Sequence, residues 1–175
     1  MTGRTKAGFA LTLTALGFAG AAAAAPSSSG AQRITATFLT IGRSDKPTHV
    51  IATGPISGIG EATQTEKQTK AGQVNFVTLH FDKGTVHIVA KEPRFGWKLN
   101  ARTCTGSAYG GGTFTITGGT RAYKGANGKG TFSTSGTALA QRSSKGQCRG
   151  DKTPQADTIF FVEITMTGIA TTRRR

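Results

Sequence analysis

Few side chains in this sequence could do acid–base or metal chemistry. The chain has three histidines and eight acidic residues, with no H-x-H, H-E-x-x-H or D-x-D run. Two histidines, His80 and His87, flank the turn FDKG. A type I turn with Gly84 as a bulge residue would pair Phe81 with Thr85, and the two histidines would then face opposite sides of the hairpin. Because they could not share a metal ion in that register, we predict no metal site.

The same register places His80 beside Phe76, Thr78, Val86 and Ile88. If that face points inward, His80 is the first candidate for a catalytic acid, base or polarising donor. The interpretation we favour is a half-solvated histidine at a strand end. The sequence also lacks the G-x-S-x-G elbow of a serine hydrolase, so no catalytic residue is assigned.

A glycine-rich segment, TITGGTRAYKGANGKGTF at residues 115–132, raises the question of phosphate binding. A P-loop needs G-x-x-x-x-G-K-[ST] before a helix. Here Gly130 follows Lys129, Tyr123 stands where the first glycine is required, and the next residues are rich in β-formers. We therefore expect no nucleotide cofactor, and interpret the glycines as turn residues between two strands: Gly118, Gly119, Gly125 and Gly128.

Alternating apolar and polar residues recur after the first thirty positions, whereas helical spacing is absent. The alternation predicts eight strands: residues 33–41, a bent strand over 49–65, the two strands of a hairpin over 73–91 that turns at 82–84, and then 95–105, 111–117, a strand from 130, and 158–170. Short strands and glycine-rich turns predict an all-β sandwich or a closed antiparallel barrel.

The glycine segment resembles the GGTG-x-F-x-x-A-x-G motif of the allene oxide cyclase and dirigent barrel superfamily, and is most similar to its secreted bacterial members of unknown function. The matching residues are Gly118, Gly119, Thr120, Tyr123, Ala126 and Gly128, whereas Arg121 stands where the family usually has glycine. The resemblance spans residues 31–170. It implies an eight-stranded antiparallel barrel, often with an apolar cavity and often oligomeric, in a superfamily whose plant members steer reactive small molecules.

The apolar faces of the strands are expected to share one interior. If that interior is hollow, we expect a small apolar ligand to contact its large side chains: Phe38, Phe76, Trp97, Phe114, Phe132 and Ile164.

The first residues predict export. Arg4 and Lys6 precede an uncharged stretch of apolar and small residues that ends before Pro26, as in a secretory signal peptide. We divide the chain into a signal peptide at 1–25, a flexible leader at 26–32, a barrel at 33–171 and a basic tail at 172–175. In an oxidising compartment, Cys104 and Cys148 should form a disulfide that stabilises the fold by roughly 4 kcal/mol.

The net charge leaves several partners open. Loss of the signal peptide would lower the formal charge from +14 to +12, which favours anionic partners. The basic residues are scattered along the chain, however, so the sequence does not indicate a protein that recognises a specific nucleic-acid sequence. Our leading hypothesis is a secreted barrel, extracellular or attached to the cell envelope, that binds a small apolar molecule or acts at the surface without catalysis. The alternatives are a cyclase- or isomerase-like enzyme, and a basic adhesin for anionic envelope polymers or extracellular DNA.

Overall fold

The computed structural model describes residues 27–41, 48–148 and 159–173. Eight antiparallel strands form a closed barrel, in which each strand pairs with the next along the chain and the last pairs with the first. This confirms the predicted fold class. The strands are β1 Ser27–Ile41, β2 Thr48–Thr53, β3 Gly58–Thr69, β4 Gly72–Phe81, β5 Gly84–Asn100, β6 Thr105–Gly119, β7 Asn127–Leu139 and β8 Ile159–Arg173.

Helical structure in the described part of the chain is limited to one 3-10 turn, Arg121–Tyr123. No helix within these residues is long and apolar enough to cross a membrane.

The number of strands was predicted correctly, but only because two errors in the strand boundaries cancel: one predicted strand is really two, and two predicted strands are really one. The bent strand over 49–65 is really β2 and β3, because the chain reverses between Gly54 and Gly58, both at positive φ (124° and 151°). The predicted strands on each side of Pro93 are instead one long strand, β5. The ladder shifts register between Lys91 and Arg94, and such a bulge accommodates a proline, which has no N–H to donate.

The predicted flexible leader is wrong for residues 27–32. These residues form the start of β1 and pair with residues 168–173 of β8. The side chain of Gln32 is buried, accepts a hydrogen bond from Ile56 N (2.9 Å) and donates one to Ile56 O (2.9 Å). The barrel therefore extends beyond the predicted 33–171 at both ends. The predicted signal peptide and the last two residues of the predicted tail lie outside the described residues.

The β4–β5 hairpin differs from its predicted register by one residue. Phe81 pairs with Gly84, so only Asp82 and Lys83 form the turn, and His80 opposes Thr85. A shift of one residue exchanges the faces that a strand presents. Phe76 and His80 consequently lie on the outer face, where both are exposed. The predicted interior position of Phe76 was therefore wrong, whereas an exposed His80 near the end of β4 accords with the interpretation that we favour.

One half of the barrel interior is filled with side chains. This packed half lies at the end where β4 passes into β5, and its largest fully buried residues include Ile34, Val50, Ile56, Leu79, Val86, Ile88, Phe114 and Ile116. Tight interdigitation of aliphatic and aromatic side chains here supplies the main apolar burial of the fold.

Tyr123, from the glycine-rich segment, covers the packed half. Its ring contacts Phe81 with 5.7 Å between centroids, and its hydroxyl donates a 2.7 Å hydrogen bond to the Ser57 carbonyl. A Cβ on Gly119 would lie 2.4 Å from the Thr85 carbonyl oxygen, so no larger residue fits there without a shift. The segment therefore turns the β6–β7 corner, as predicted, and places Tyr123 against the interior.

The two cysteines form the predicted disulfide. Their Cα atoms are 5.3 Å apart, and the bond ties the β5–β6 turn, which contains Cys104, to the segment after β7.

Substitution of Tyr123 should test its role at the packed end. We expect Tyr123→Phe to lower the free energy of unfolding by about 1 kcal/mol through loss of one hydrogen bond, and Tyr123→Ala by about 3–5 kcal/mol. Tyr109→Phe is the control, because Tyr109 is 52% exposed on the outer face. Urea unfolding gives the comparison. If Tyr123→Phe and Tyr109→Phe lowered the free energy of unfolding equally, the role of Tyr123 in covering the packed half would be contradicted.

Candidate ligand-binding cavity

The other half of the barrel interior holds a cavity of about 240 Å³. It lies at the end where β3 passes into β4, and we call it the hollow half. The inward face of β4 shows why this half is hollow. The inward residues of β4 run from Gln73 and Asn75 to Val77, Leu79 and Phe81, so the same face changes from polar to apolar toward the packed half.

The apolar wall of the cavity is mainly aromatic and aliphatic. Phe160 on β8 links it to neighbouring rings, at 5.9 Å from the Phe38 centroid and 5.5 Å from that of Trp97. Such tilted ring pairs are favourable arrangements. The wall consists of Phe38, Val77, Ala90, Phe95, Phe132, Phe160, Val162, Ile164 and Met166.

The polar wall is formed by six side chains from three neighbouring strands and from β7: Gln64, Glu66, Gln73, Asn75, Glu92 and Thr134. The amides bond among themselves. Gln68 donates to Gln73 Oε1 (3.1 Å), and Gln73 donates to Asn75 Oδ1 (2.8 Å). Gln64 donates to Glu66 Oε1 at 3.4 Å. These bonds fix the amide groups along β3 and β4.

Glu92 is the buried carboxyl of the cavity, with 8% of its surface exposed. It pairs with Gln73 in the ladder and immediately precedes the Pro93 bulge. Among the described residues its carboxylate receives one hydrogen bond, a long one of 3.5 Å from Thr134 Oγ1. A buried carboxyl normally has several such partners, so this one retains acceptor capacity toward the cavity.

The pKa of Glu92 is raised above its ordinary value. Burial, which disfavours the charged form, is the main cause. The hydrogen bond from Thr134 opposes the rise, and the negative charge of Glu66 adds to it. A carboxyl of this kind can accept a hydrogen bond when ionised, donate one when protonated, or exchange a proton with a bound molecule.

The predicted ligand-contacting residues are divided among three places. Phe38, Phe132 and Ile164 line the cavity. Trp97 packs against Phe160 at the same end. Phe114, 2% exposed, belongs to the packed half, and Phe76 lies outside the barrel.

The histidines of the hairpin share the outer face. Thr63 Oγ1 and His80 Nε2 are 3.1 Å apart, and Thr78 Oγ1 and His87 Nδ1 are 3.3 Å apart. The prediction that the two histidines face opposite sides was therefore wrong. In the described ranges, no three His, Cys, Asp or Glu side chains are grouped as a metal site would need.

Sequence analysis missed Glu92, although a signal was present. Val86, Ile88 and Ala90 alternate into the interior, and Glu92 is the next residue in the same phase. The hairpin predicted from the sequence ended at Lys91, so the alternation was not followed to this position.

No family model, curated protein or solved structure matches this chain. The comparisons thus give no support to the resemblance of the glycine-rich segment to allene oxide cyclase and dirigent barrels. A function for the chain has to be argued from the cavity itself.

Stability should depend on pH through Glu92. A carboxyl whose folded pKa is raised contributes stability below its ordinary value of 4.5, and that contribution is lost as pH rises through the folded pKa. We expect the stability of the wild type relative to Glu92→Gln to be greatest in acid and to fall as pH rises above about 4.5. Urea unfolding across this range provides the measurement.

Glu163→Gln is the matched control, because it removes one negative charge from the exposed outer face of β8. An advantage of the wild type over Glu92→Gln that grows with rising pH would contradict the assignment.

Proposed function

We propose that this protein binds a small, largely apolar molecule in the hollow half of the barrel. The observation that supports this most directly is the cavity of about 240 Å³ with apolar rings on one side and a buried carboxyl on the other. Apolar pockets with a few convergent polar groups are the usual form of small-molecule sites. In the packed half, the protein's own side chains fill the interior of this barrel. The hollow half is therefore left open by the residues that it carries, and not by the fold.

The size of the cavity limits the ligand. Drug-sized ligands occupy about 300–1,000 Å³, and this cavity is smaller. A single ring with a short substituent is the size class that we propose.

An isomerase- or cyclase-like activity is the second candidate, and Glu92 favours it. Carboxyls with raised pKa in clefts are typical of general acids and bases. This candidate uses the same cavity and differs in requiring turnover as well as binding. Its proton-transfer group is Glu92, since His80 lies on the outer face.

Benzyl alcohol is a suitable neutral probe for the cavity. In titrations followed by ¹H–¹⁵N NMR, we expect saturable shifts of the amides of Val77, Ala90, Phe132 and Val162. We expect Ile164→Trp to weaken binding at least fivefold by filling the cavity, because the Ile164 side chain faces it.

Ile169→Trp is the matched control on the same strand, at an outer position where isoleucine is 62% exposed. It should leave benzyl alcohol binding unchanged. Equal weakening by both tryptophan variants, or shifts confined to outer-face residues, would contradict binding inside the barrel.

A further inference from the structure

The charges that line the cavity are opposite in sign to those of the whole chain. The sequence has 22 lysines and arginines against eight acids. Among the described side chains of the cavity wall, by contrast, both charged residues are acidic, Glu66 and Glu92, and none is basic. Scattered surface charges are screened over about 8 Å at physiological salt. Within the described wall, Glu66 and Glu92 are the charged groups that a ligand in the cavity would contact.

The geometry leaves Glu92 available to a ligand. Its side chain is 8% exposed and lines the cavity, and its one described hydrogen bond is the 3.5 Å contact from Thr134. The Gln73 amide, which faces the same side, donates to Asn75. A carboxylate with this much unused acceptor capacity suits a ligand that brings several N–H donors and a positive charge.

Aromatic rings complete the surroundings of such a ligand. Phe38, Phe95, Phe132 and Phe160 all face the cavity. The faces of these rings carry negative electrostatic potential and attract organic cations. An anionic ligand would meet neither a basic side chain nor an attractive ring face within the described wall.

We infer that the cavity selects organic ammonium ions: small amines that place the ammonium group near Glu92 and an apolar ring or chain against the phenylalanines. This inference rests on the proposed function and specifies its ligand class. Metal cations fit less well, since the described residues contain no group of three His, Cys, Asp or Glu side chains that could hold one.

Three probes of similar shape and different charge test the inference: benzylammonium, benzyl alcohol and phenylacetate. In calorimetry at pH 7.5 with the purified protein, we expect benzylammonium to bind at least tenfold more tightly than benzyl alcohol, a difference of about 1.4 kcal/mol. Phenylacetate should bind most weakly. Benzyl alcohol binding as tightly as benzylammonium, or phenylacetate binding best, would overturn the inference while leaving the proposed cavity site intact.

Two glutamine variants test whether the preference for benzylammonium over benzyl alcohol depends on Glu92. We expect Glu92→Gln to reduce the ammonium preference, which is the ratio of benzylammonium affinity to benzyl alcohol affinity, below threefold. Glu163→Gln, which removes an outer-face charge, should keep the full preference. A preference that survives in Glu92→Gln would overturn the assignment. If neither benzyl probe binds the wild type, the proposed function fails and this inference fails with it.

The pH dependence of the ammonium preference, measured on the wild type, tests the role of Glu92 without a variant. The titratable groups of the described cavity wall are Glu92 on β5 and Glu66 on β3, while β4 contributes the neutral Gln73 and Asn75, and β7 contributes Thr134. Protonation of Glu92 should lower the ammonium preference as pH falls, because benzylamine remains charged in acid. A preference that is constant from pH 8 to pH 4 would overturn the inference even if Glu92→Gln does not fold.

Discussion

Closure of the sheet between β1 and β8 is the constraint on which the rest of the structure depends. The two strands pair along their whole length, from Ser27↔Arg173 to Ile41↔Ile159. Without this pairing the sheet would have two open edges and no enclosed interior. With it, every inward side chain competes for one volume, so the phase of each strand decides what the interior contains.

The interior is divided because single strands carry different residues along their inward faces. On β4 the inward positions change from Gln73 and Asn75 to Leu79 and Phe81. Apolar burial on the packed side provides the free energy that stabilises the barrel. The polar side includes a desolvated carboxyl, which lowers stability at neutral pH. A fold stabilised at one end can retain a cavity and a buried acid at the other, and functional sites commonly carry such local costs.

Sequence reasoning predicted the features that depend on local pattern. Alternation predicted the all-β class, the glycines predicted the β6–β7 corner, and the pair of cysteines, in a chain that the sequence predicts to be exported, predicted the disulfide. It could not fix the phase of β4, because apolar residues occupy both faces: Val74 and Phe76 on one, Val77 and Leu79 on the other. A two-residue turn in place of a three-residue turn then placed His80 outside. Glu92 was missed because a bulge allows β5 to continue through Pro93, and bulges depend on the partner strand.

The central claim is that the hollow half of the barrel encloses a desolvated carboxyl at Glu92. The most direct measurement is a ¹³C NMR titration of the side-chain carboxyl carbons, which is practical because the chain has only four glutamates, each assignable from one glutamine variant. The account predicts that the Glu92 resonance titrates at a pKa above its ordinary value of 4.5. A Glu92 carboxyl that titrates at or below that value would show that it is solvated or paired with a cation, and would contradict the account.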